Sequence, residues 1–256
     1  MNTKLDRWNF QTSFRLDTLT VDNIKSSTEV KKDYSVNTHL LGLGYQLTPD
    51  LRLTATSSTG FRAPAANDLM GTYGNPNLLP ETHRSDEIGG TYSVEKILFR
   101  GVYFQTYTHD TIAYDSSYKP QNTGETRNKG YEFTTRADFF GNSIKGSLVF
   151  QDPWNMTTNS LPGRRAKQYG SFDLSRYVSG FEVGSKFIAS SNRSDTGGSA
   201  MLAGYSTWGF YASKRIDADW TARVKLENAF NRYYELAGGY NTPPRGIFAT
   251  LQYLPK

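Results

Sequence analysis

The sequence predicts an all-β protein, an antiparallel transmembrane β-barrel or partial barrel of about twelve up-and-down strands. Three observations predict this fold class. Apolar and polar residues alternate with a period of two along most of the chain, as in strands that have one apolar and one polar face. Most strand candidates reach the roughly ten residues that a tilted strand needs to cross a bilayer. Short turns and long loops alternate between the strands, as on the two rims of an outer-membrane barrel.

The segment from Trp220 to Phe230 shows the alternation most clearly. Its intervening positions hold Arg223, Lys225 and Glu227. Three charged side chains on one face of a strand need water or each other, because burying an unpaired charge in an apolar layer is costly. The composition agrees with this pattern. With 17 Tyr, 15 Phe and 4 Trp at a mean hydropathy of -0.60, the chain is rich in aromatic residues but too polar for a helical membrane protein.

The predicted elements can be stated as ranges. The strand candidates are 8–22, 34–47, 51–60, 83–93, 97–112, 126–140, 143–155, 165–178, 181–191, 201–216, 219–230 and 244–253. The short turns are 48–50, 94–96, 141–142, 179–180 and 217–219. The long loops are 23–33, 61–82, 113–125, 155–164, 192–200 and 231–243. Aromatic residues near strand ends, such as Trp8, Tyr45 and Trp220, fit the interfacial girdles of membrane proteins.

Composition argues against several classes of protein. The chain has no cysteine, which removes disulfide frameworks and thiolate metal sites. Its net charge of +5 is spread out, with Lys25, Lys31 and Lys32 as the nearest approach to a cluster, so we expect no nucleic-acid partner. We find no apolar stretch of about 18 residues that would form a transmembrane helix. The first residues, 1–6, carry no signal-peptide pattern.

The long loop 61–82 carries the most distinctive motif. It begins with Phe61-Arg62-Ala63-Pro64 and ends with Tyr73-Gly74-Asn75-Pro76-Asn77-Leu78-Leu79-Pro80-Glu81. Proline restricts the backbone, and asparagine side chains bond to nearby backbone groups. We therefore expect the three prolines of the motif to stiffen the loop and its two asparagines to satisfy its backbone.

Three further motifs follow in order: Arg127-Asn128-Lys129-Gly130-Tyr131-Glu132, Leu161-Pro162-Gly163-Arg164-Arg165-Ala166, and Asn228-Ala229-Phe230-Asn231-Arg232-Tyr233-Tyr234-Glu235. Together the four motifs resemble the C-terminal half of the TonB-dependent outer-membrane receptors, and the cobalamin transporters are the most similar subgroup. The likeness covers nearly the whole chain. The family-motif residues are Phe61, Arg62, Pro64, Asn75, Pro76, Pro80, Glu81, Asn228, Phe230 and Tyr234.

The resemblance implies a function in ligand uptake across the outer membrane. Such receptors take up a scarce large ligand, a corrinoid or an iron–siderophore chelate, across the outer membrane of Gram-negative cells. TonB acts on them only through an N-terminal plug domain. Residues 1–256 would then form a single barrel domain in contact with outer-membrane lipid. The plug, about ten further strands and any signal peptide would belong to a longer protein. The resemblance implies no cofactor, and Arg62 has two candidate partners, a plug carboxylate or Glu81.

Ligand capture is the function that the loops favour. Long loops rich in Tyr, Asn and Gly can stack on a large polar ligand and hydrogen-bond to it. The candidate ligand-binding residues are Tyr73, Asn77, Tyr114, Tyr118, Tyr240 and Asn241.

Enzymatic and metal-binding functions are disfavoured. His39, His83 and His109 lie far apart and in no metal-ligand spacing. The loop carboxylates form no dense calcium-binding run. We therefore expect no metal site and no catalytic residue. Three alternatives stay open at this point: a self-standing twelve-stranded pore, an outer-membrane hydrolase with Ser, His and Asp convergent at one rim, and an inactive receptor fragment.

Overall fold

The computed structural model describes residues 1–22, 31–115, 117–195 and 200–255, and most of these form strands. The strands are β1 (Asn2–Leu5), β2 (Trp8–Asp22), β3 (Lys31–Gln46), β4 (Leu51–Arg62), β5 (Glu81–Val94), β6 (Ile97–Tyr114), β7 (Pro120–Phe139), β8 (Asn142–Asn155), β9 (Gln168–Val178), β10 (Phe181–Ser190), β11 (Arg193–Ser194), β12 (Met201–Leu202), β13 (Tyr205–Arg215), β14 (Trp220–Glu227), β15 (Glu235–Ala237), β16 (Tyr240–Asn241) and β17 (Gly246–Tyr253). One short helix, α1 (Ala66–Met70), interrupts the connection between β4 and β5.

The strands form an antiparallel sheet in the order β1-β2-β3-β4-β5-β6-β7-β8-β9-β10-β13-β14-β17. Sequence neighbours pair with each other except where the small strands lie in loops. β11 pairs with β12, and β15 pairs with β16, in two separate two-stranded sheets. The predicted all-β, up-and-down fold class is therefore confirmed. β1 and β17 stand at the two ends of the sheet order.

Several predicted strand boundaries differ from those in the structure. β1 was not predicted, and the predicted strand 201–216 is broken, since β12 ends at Leu202 and β13 begins at Tyr205. The chain passes so closely at Gly204 that a Cβ there would lie 3.0 Å from the carbonyl oxygen of Ser190. β17 begins at Gly246, after two prolines that cannot donate to the ladder.

Long loops also contain more strand than predicted. β7 begins at Pro120 and not at residue 126, and β15 and β16 lie within the predicted loop 231–243. In contrast, β14 ends at Glu227, before the predicted end at residue 230, because Asn228 has φ of 45°. Parts of the predicted loops 23–33 and 192–200, with Lys25, lie outside the described residues.

Tight turns join the strands at the predicted short connections. Phe140 and Gly141 both have positive φ, 48° and 76°, and Ser179 and Gly180 have φ of 52° and 81°. Two successive positive φ angles are typical of the type I′ turn, whose twist matches that of the strands it joins. These turns fix the register of the adjoining strands at this rim.

Large apolar side chains lie exposed on one face of the strands. Phe14 is 77% exposed, and Leu16 and Ile247 are similarly open. Near the short turns, Trp8 packs on Tyr45 with ring centroids 4.5 Å apart, and Trp220 packs on Tyr253 at 4.7 Å. In the described part of the chain, no helix is both long and apolar enough to cross a membrane.

The chain divides into two compact units. The first, Met1–Gly90, Tyr103–Lys129 and Asp152–Leu161, contains the long loop 63–80. Its buried cluster of Tyr34, Leu69 and Leu78 lies between this loop and the strands, and the Tyr34 hydroxyl donates to the carbonyl of Leu78 at 3.0 Å.

The second compact unit comprises Thr91–Val102, Gly130–Gln151 and Pro162–Lys256. It contains β9, β10, β13, β14 and β17 and both small sheets. Val149, Ala166 and Leu202 are among its buried apolar residues.

Candidate functional site

The long loop 63–80 is anchored by an ion pair at its base. The guanidinium of Arg62, the last residue of β4, donates to both carboxylate oxygens of Glu81, the first residue of β5, at 2.8 and 2.5 Å. The backbone N–H of Ile112 also donates to Glu81, at 2.7 Å. Of the two candidate partners of Arg62, the structure shows Glu81.

The position of Glu81 and its hydrogen bonds determine the pKa of its carboxyl group. β5, which begins at Glu81, has 14 residues and β6 has 18, more than the roughly 9–11 that a bilayer crossing needs, so their loop-side ends lie beyond the crossing part. Burial raises the pKa of Glu81, but the bonds from Arg62 and Ile112 outweigh it, and the net pKa is lowered. Glu81 therefore stays ionised and keeps the base of the loop closed at neutral pH.

Asp68 organises the middle of the loop. Its carboxylate accepts a hydrogen bond from the Ala65 N–H at 3.2 Å, which caps α1, and another from the Tyr114 hydroxyl at 2.5 Å. The bond to Asp68 raises the pKa of Tyr114. Asp68 was not among the residues that the sequence predicted for the site. An aspartate in the first turn of a helix is a capping signal that could have identified it. The five-residue helix α1 is too short to show a periodicity in the sequence, so this signal could not be recognised.

Asparagine side chains join this loop to the β6–β7 connection. Asn75 donates to the carbonyl of Pro120 at 2.9 Å and accepts from the Asn77 N–H at 3.0 Å. Asn122 donates to Leu79 at 2.9 Å and accepts from its N–H at 2.8 Å. The two connections are thereby held together, and the bond from the Asn77 N–H is the one by which Asn75 satisfies the backbone of its own loop. Asn77 takes part in this network through its backbone N–H.

A cavity of about 450 Å³ opens between these two connections. It is lined by Asn67, Gly71, Thr72, Tyr73, Gly74, Tyr114, Tyr118 and Pro120. We call it the outer-loop cavity. None of these lining side chains is charged, and three of the six predicted ligand-binding residues, all tyrosines, meet here.

The tyrosines of the outer-loop cavity are held open to solvent. Tyr73 is 62% exposed and Tyr118 is 74% exposed. Tyr118 has φ of 60°, and its N–H donates to the carbonyl of Asp115 at 3.0 Å. The Asp115 carboxylate accepts from the N–H groups of Lys119 and Ser117 at 3.0 and 2.9 Å, and these bonds lower its pKa.

Gly74 is required by the wall of the outer-loop cavity. A Cβ at this position would lie 2.6 Å from the carbonyl oxygen of Leu69 and 2.7 Å from the nitrogen of Met70. Both are backbone atoms, so the clash cannot be relieved by a side-chain movement. The glycine lets the loop return against α1.

The other predicted ligand-binding residues lie elsewhere. Asn77 does not line the outer-loop cavity, and Tyr240 and Asn241 form β16 in the second compact unit. Asn241 accepts a hydrogen bond from the Tyr233 hydroxyl at 3.0 Å, which stabilises that hairpin.

The last motif shapes a loop of the second compact unit. Asn228 is buried and forms paired hydrogen bonds with the backbone of Arg232, at 2.8 and 2.9 Å. Tyr234 stacks on Tyr205 with centroids 4.1 Å apart, whereas Phe230 is exposed. These contacts give the motif a structural role in closing the loop.

Asp195 connects three loops of the second compact unit. Its carboxylate accepts from the Arg164 guanidinium at 2.5 Å and from the Gly238 N–H at 2.9 Å. A Cβ on Gly238 would lie 2.5 Å from the Asp195 carboxylate, so a larger residue at this position would displace that side chain. We call Arg164, Asp195 and Gly238 the loop clasp.

Ser57, Arg84 and Asp86 form one hydrogen-bonded group on β4 and β5. Ser57 donates to Asp86 at 2.6 Å, and Arg84 donates to the same carboxylate at 3.1 Å, so this aspartate is engaged by a cation. Within the described ranges, no group of three or more His, Cys, Asp or Glu side chains is placed to hold a metal ion.

Known structures share this fold over almost the entire chain. The chain is similar to the ferric-catecholate import receptor Fiu from E. coli, with 15% identity and a TM-score of 0.78 over 97% of this chain and 42% of that one. It is similar to the FrpB iron transporter from Neisseria meningitidis, with 15% identity and a TM-score of 0.79 over 98% and 44%. The ferric citrate transporter FecA gives 16% identity and a TM-score of 0.78 over 98% and 43%.

The chain thus spans less than half the length of these structures, and at such identities the likeness shows the fold alone. A sequence model of a family supplies the assignment. The model described as "TonB dependent receptor-like, beta-barrel" matches residues 1–229, which is most of the chain. The chain belongs to the TonB-dependent receptor-like β-barrel family.

Proposed function

We propose that this chain supplies barrel wall and part of the outer ligand-binding surface of a TonB-dependent importer in the Gram-negative outer membrane. The observation that carries the proposal is the outer-loop cavity. Its three tyrosines lie together on the long-loop side of the sheet, in a chain that belongs to a receptor family. Aromatic side chains at an open rim suit the first capture of a bulky ligand, which they contact through large apolar faces and phenol hydroxyls.

The proposed ligand is a scarce, large metal complex, either an iron–siderophore chelate or a corrinoid such as cobalamin. A volume of about 450 Å³ lies in the range of small-molecule sites. The similar structures support an iron–siderophore chelate as the ligand, because they are named as ferric-catecholate, iron and ferric citrate transporters. The corrinoid reading rests on the motif resemblance.

In this proposal residues 1–256 belong to one barrel domain in contact with lipid. TonB engages a plug that other parts of the receptor supply. The chain itself is not an enzyme: it binds and passes on its cargo unchanged. The exposed apolar face of the strands is the surface that lipid would cover.

A binding titration tests the proposal. The whole chain, folded in detergent micelles, is titrated with ferric citrate, a ferric catecholate chelate and cyanocobalamin, with intrinsic fluorescence as the readout. We expect saturable quenching by at least one of these probes. Replacing Tyr73 and Tyr118 together by alanine should weaken that binding by about tenfold or more, because each ring contributes about 1 kcal/mol of contact.

Tyr177→Ala is the matched control. Tyr177 is 73% exposed, as open as Tyr118, and lies outside the outer-loop cavity. Its loss should leave the dissociation constant unchanged. Equal weakening in the control and the double variant, or no saturable binding of any probe, would overturn the role of the outer-loop cavity.

A further inference from the structure

The exposed apolar face of the strands becomes polar toward the long loops. Ser57 of β4 is paired in register with Leu41 of β3, and residues directly opposite each other lie on the same face. Leu41 is 43% exposed. Ser57 donates to Asp86 of β5, and Asp86 alternates with Ile88, which is 62% exposed. On β4 and β5, polar side chains therefore follow apolar ones on a single face of the sheet.

The same change occurs on β6, β7 and β8. The rings of Phe99 and Phe133 have centroids 6.2 Å apart, and those of Phe133 and Phe150 are 6.5 Å apart, so the three rings lie on one face. Alternate residues of a strand share a face. Three polar residues stand an even number of positions from these rings, toward the long loops, and hence lie on that face: Gln105, Lys129 and Asp152. We call Ser57, Arg84, Asp86, Gln105, Lys129 and Asp152 the outward belt.

Charge enters this face at a similar distance from the short turns on three strands. The first charged residues are Asp86 on β5, Lys129 on β7 and Asp152 on β8. They lie eight, ten and ten positions from the ends of their strands that adjoin the short turns. A tilted strand needs roughly 9–11 residues to cross the hydrocarbon layer of a bilayer. The outward belt therefore begins where the crossing ends.

The charges of the outward belt exclude it from hydrocarbon. Arg84 donates to Asp86 at 3.1 Å, and the two side chains remain 61% and 40% exposed. Asp152 lies 3.8 Å from the guanidinium of Arg127. Protein atoms do not enclose these ion pairs, so acyl chains around them would desolvate the charges at a high cost in free energy.

The outward belt also lies too close to the apolar residues to stand free in bulk water. Ile88 is two positions from Asp86, and Tyr131 is two positions from Lys129. Two residues advance about 7 Å along a strand, and the tilt of the strand makes the gain in height smaller. The headgroup layer is roughly 5–7 Å thick on each side of the hydrocarbon core. The first polar residues after the apolar ones thus fall within that layer.

We propose that the outward belt contacts the lipid headgroups on the long-loop side of the membrane and sets the depth of the chain in the bilayer. This proposal rests on the lipid contact that the proposed function assigns to the apolar face. Arg84 and Lys129 can donate to phosphate oxygens, and Ser57 and Gln105 can exchange hydrogen bonds with ester and hydroxyl groups. Two basic and two acidic side chains balance each other, which suits headgroups that carry both signs of charge.

Depth-dependent quenching of a fluorophore tests the proposal. The chain has no cysteine, so a single introduced thiol can be labelled with bimane. Gln105→Cys, Lys129→Cys and Leu148→Cys are each prepared as the whole chain, folded in phosphatidylcholine vesicles. The quenchers are lipids with a nitroxide either on the headgroup or near the end of the acyl chain.

The headgroup quencher should be the more effective at positions 105 and 129, by a factor of about two or more, because the two quenchers differ in depth by roughly 15 Å. The acyl-chain quencher should be the more effective at position 148, which lies six positions from the start of β8, near the middle of the crossing. Thr106→Cys is the matched control. Thr106 is adjacent to Gln105, and its hydroxyl pairs with Ser85 at 2.9 Å on the opposite face, so both quenchers should act weakly there.

The possible outcomes separate this proposal from the proposed function. The outward belt is placed in hydrocarbon, and the proposal is overturned, if the acyl-chain quencher is the more effective at positions 105 and 129. It is placed in water, and the proposal is equally overturned, if neither quencher reaches these positions while position 148 is quenched. No quenching at position 148 would refute the lipid contact of the proposed function as well. Far-UV circular dichroism confirms that each variant has folded, and two belt positions give independent readings.

Discussion

At the residue scale, Glu81 determines how the long loop 63–80 is attached. Its side chain is almost fully buried and accepts three hydrogen bonds, two from Arg62 and one from the Ile112 N–H. The sequence placed both charged residues in its first motif and left the partner of Arg62 open. Only the folded chain decides that question, because the partners are 19 positions apart and meet where β4 and β5 enter the loop.

Acid should open the base of this loop. The pKa of Glu81 is lowered from its ordinary 4.5, so the stabilisation is fully present above that ordinary value and is lost as the pH falls through the lowered one. Arg62 stays charged throughout. Hydrogen exchange of the loop 63–80 amides should therefore show less protection at about pH 3 than at about pH 7, after correction for intrinsic rates.

Glu81→Gln isolates the contribution of the charge. It should lower the free energy of loop opening by about 1–2 kcal/mol at neutral pH, a moderate figure because the Arg62 side chain is 58% exposed. At acidic pH the variant and the original chain should become alike. Glu132→Gln, in β7, is the control and should change nothing in this loop. Protection of the original loop that does not depend on pH would contradict the role of Glu81.

At the scale of the elements, the loop clasp shows how loops become ordered. Asp195 accepts from Arg164 and from Gly238, so the β8–β9, β10–β13 and β14–β17 connections share one carboxylate. Arg193 adds to this by donating to the carbonyl of Glu235 at 3.0 Å. The third motif of the sequence contained Arg164, but nothing in the spacing of residues identified Asp195 or Gly238 as its partners.

Asp195→Ala should loosen two loops at once. Hydrogen exchange should rise both around Arg164 and around Gly238, by an amount corresponding to about 1–3 kcal/mol for each lost charged contact. Arg164→Gln should raise exchange mainly around its own loop, because the Gly238 N–H keeps its acceptor.

Asp219→Ala, which removes a partly exposed carboxylate from a short turn, is the comparison for general charge effects. The clasp would be refuted if Asp195→Ala altered exchange only in its own loop.

At the scale of the whole molecule, alternation along the strands separates an apolar from a polar face. Leu148 and Ser147 are neighbours in β8 and belong to opposite faces. Leu148 is 43% exposed in the protein alone, as expected of a side chain that lipid would cover. A bilayer would therefore contact the side chain at position 148 and not the one at position 147, although the two are adjacent in sequence.

Leu148→Lys should destabilise the protein in lipid vesicles by about 2–4 kcal/mol, because a charge then faces the hydrocarbon layer. Ser147→Lys adds the same charge on the polar face and should change the unfolding free energy by about 0.5 kcal/mol or less. Denaturant midpoints in vesicles of phosphatidylcholine measure both. Equal destabilisation by the two substitutions would show that the apolar face is not in contact with lipid.

The sequence by itself determined the all-β class, the alternation of short turns and long loops, the family, and three of the tyrosines that line the outer-loop cavity. These follow from local patterns: side-chain period, turn residues and short motifs. The tertiary structure alone decided that Leu69 and Leu78 are buried beneath the loop and that Asp68 holds Tyr114. Asp68 and Tyr114 are 46 positions apart. Such contacts depend on which strands lie side by side and where each loop returns, and no local spacing of residues contains that information.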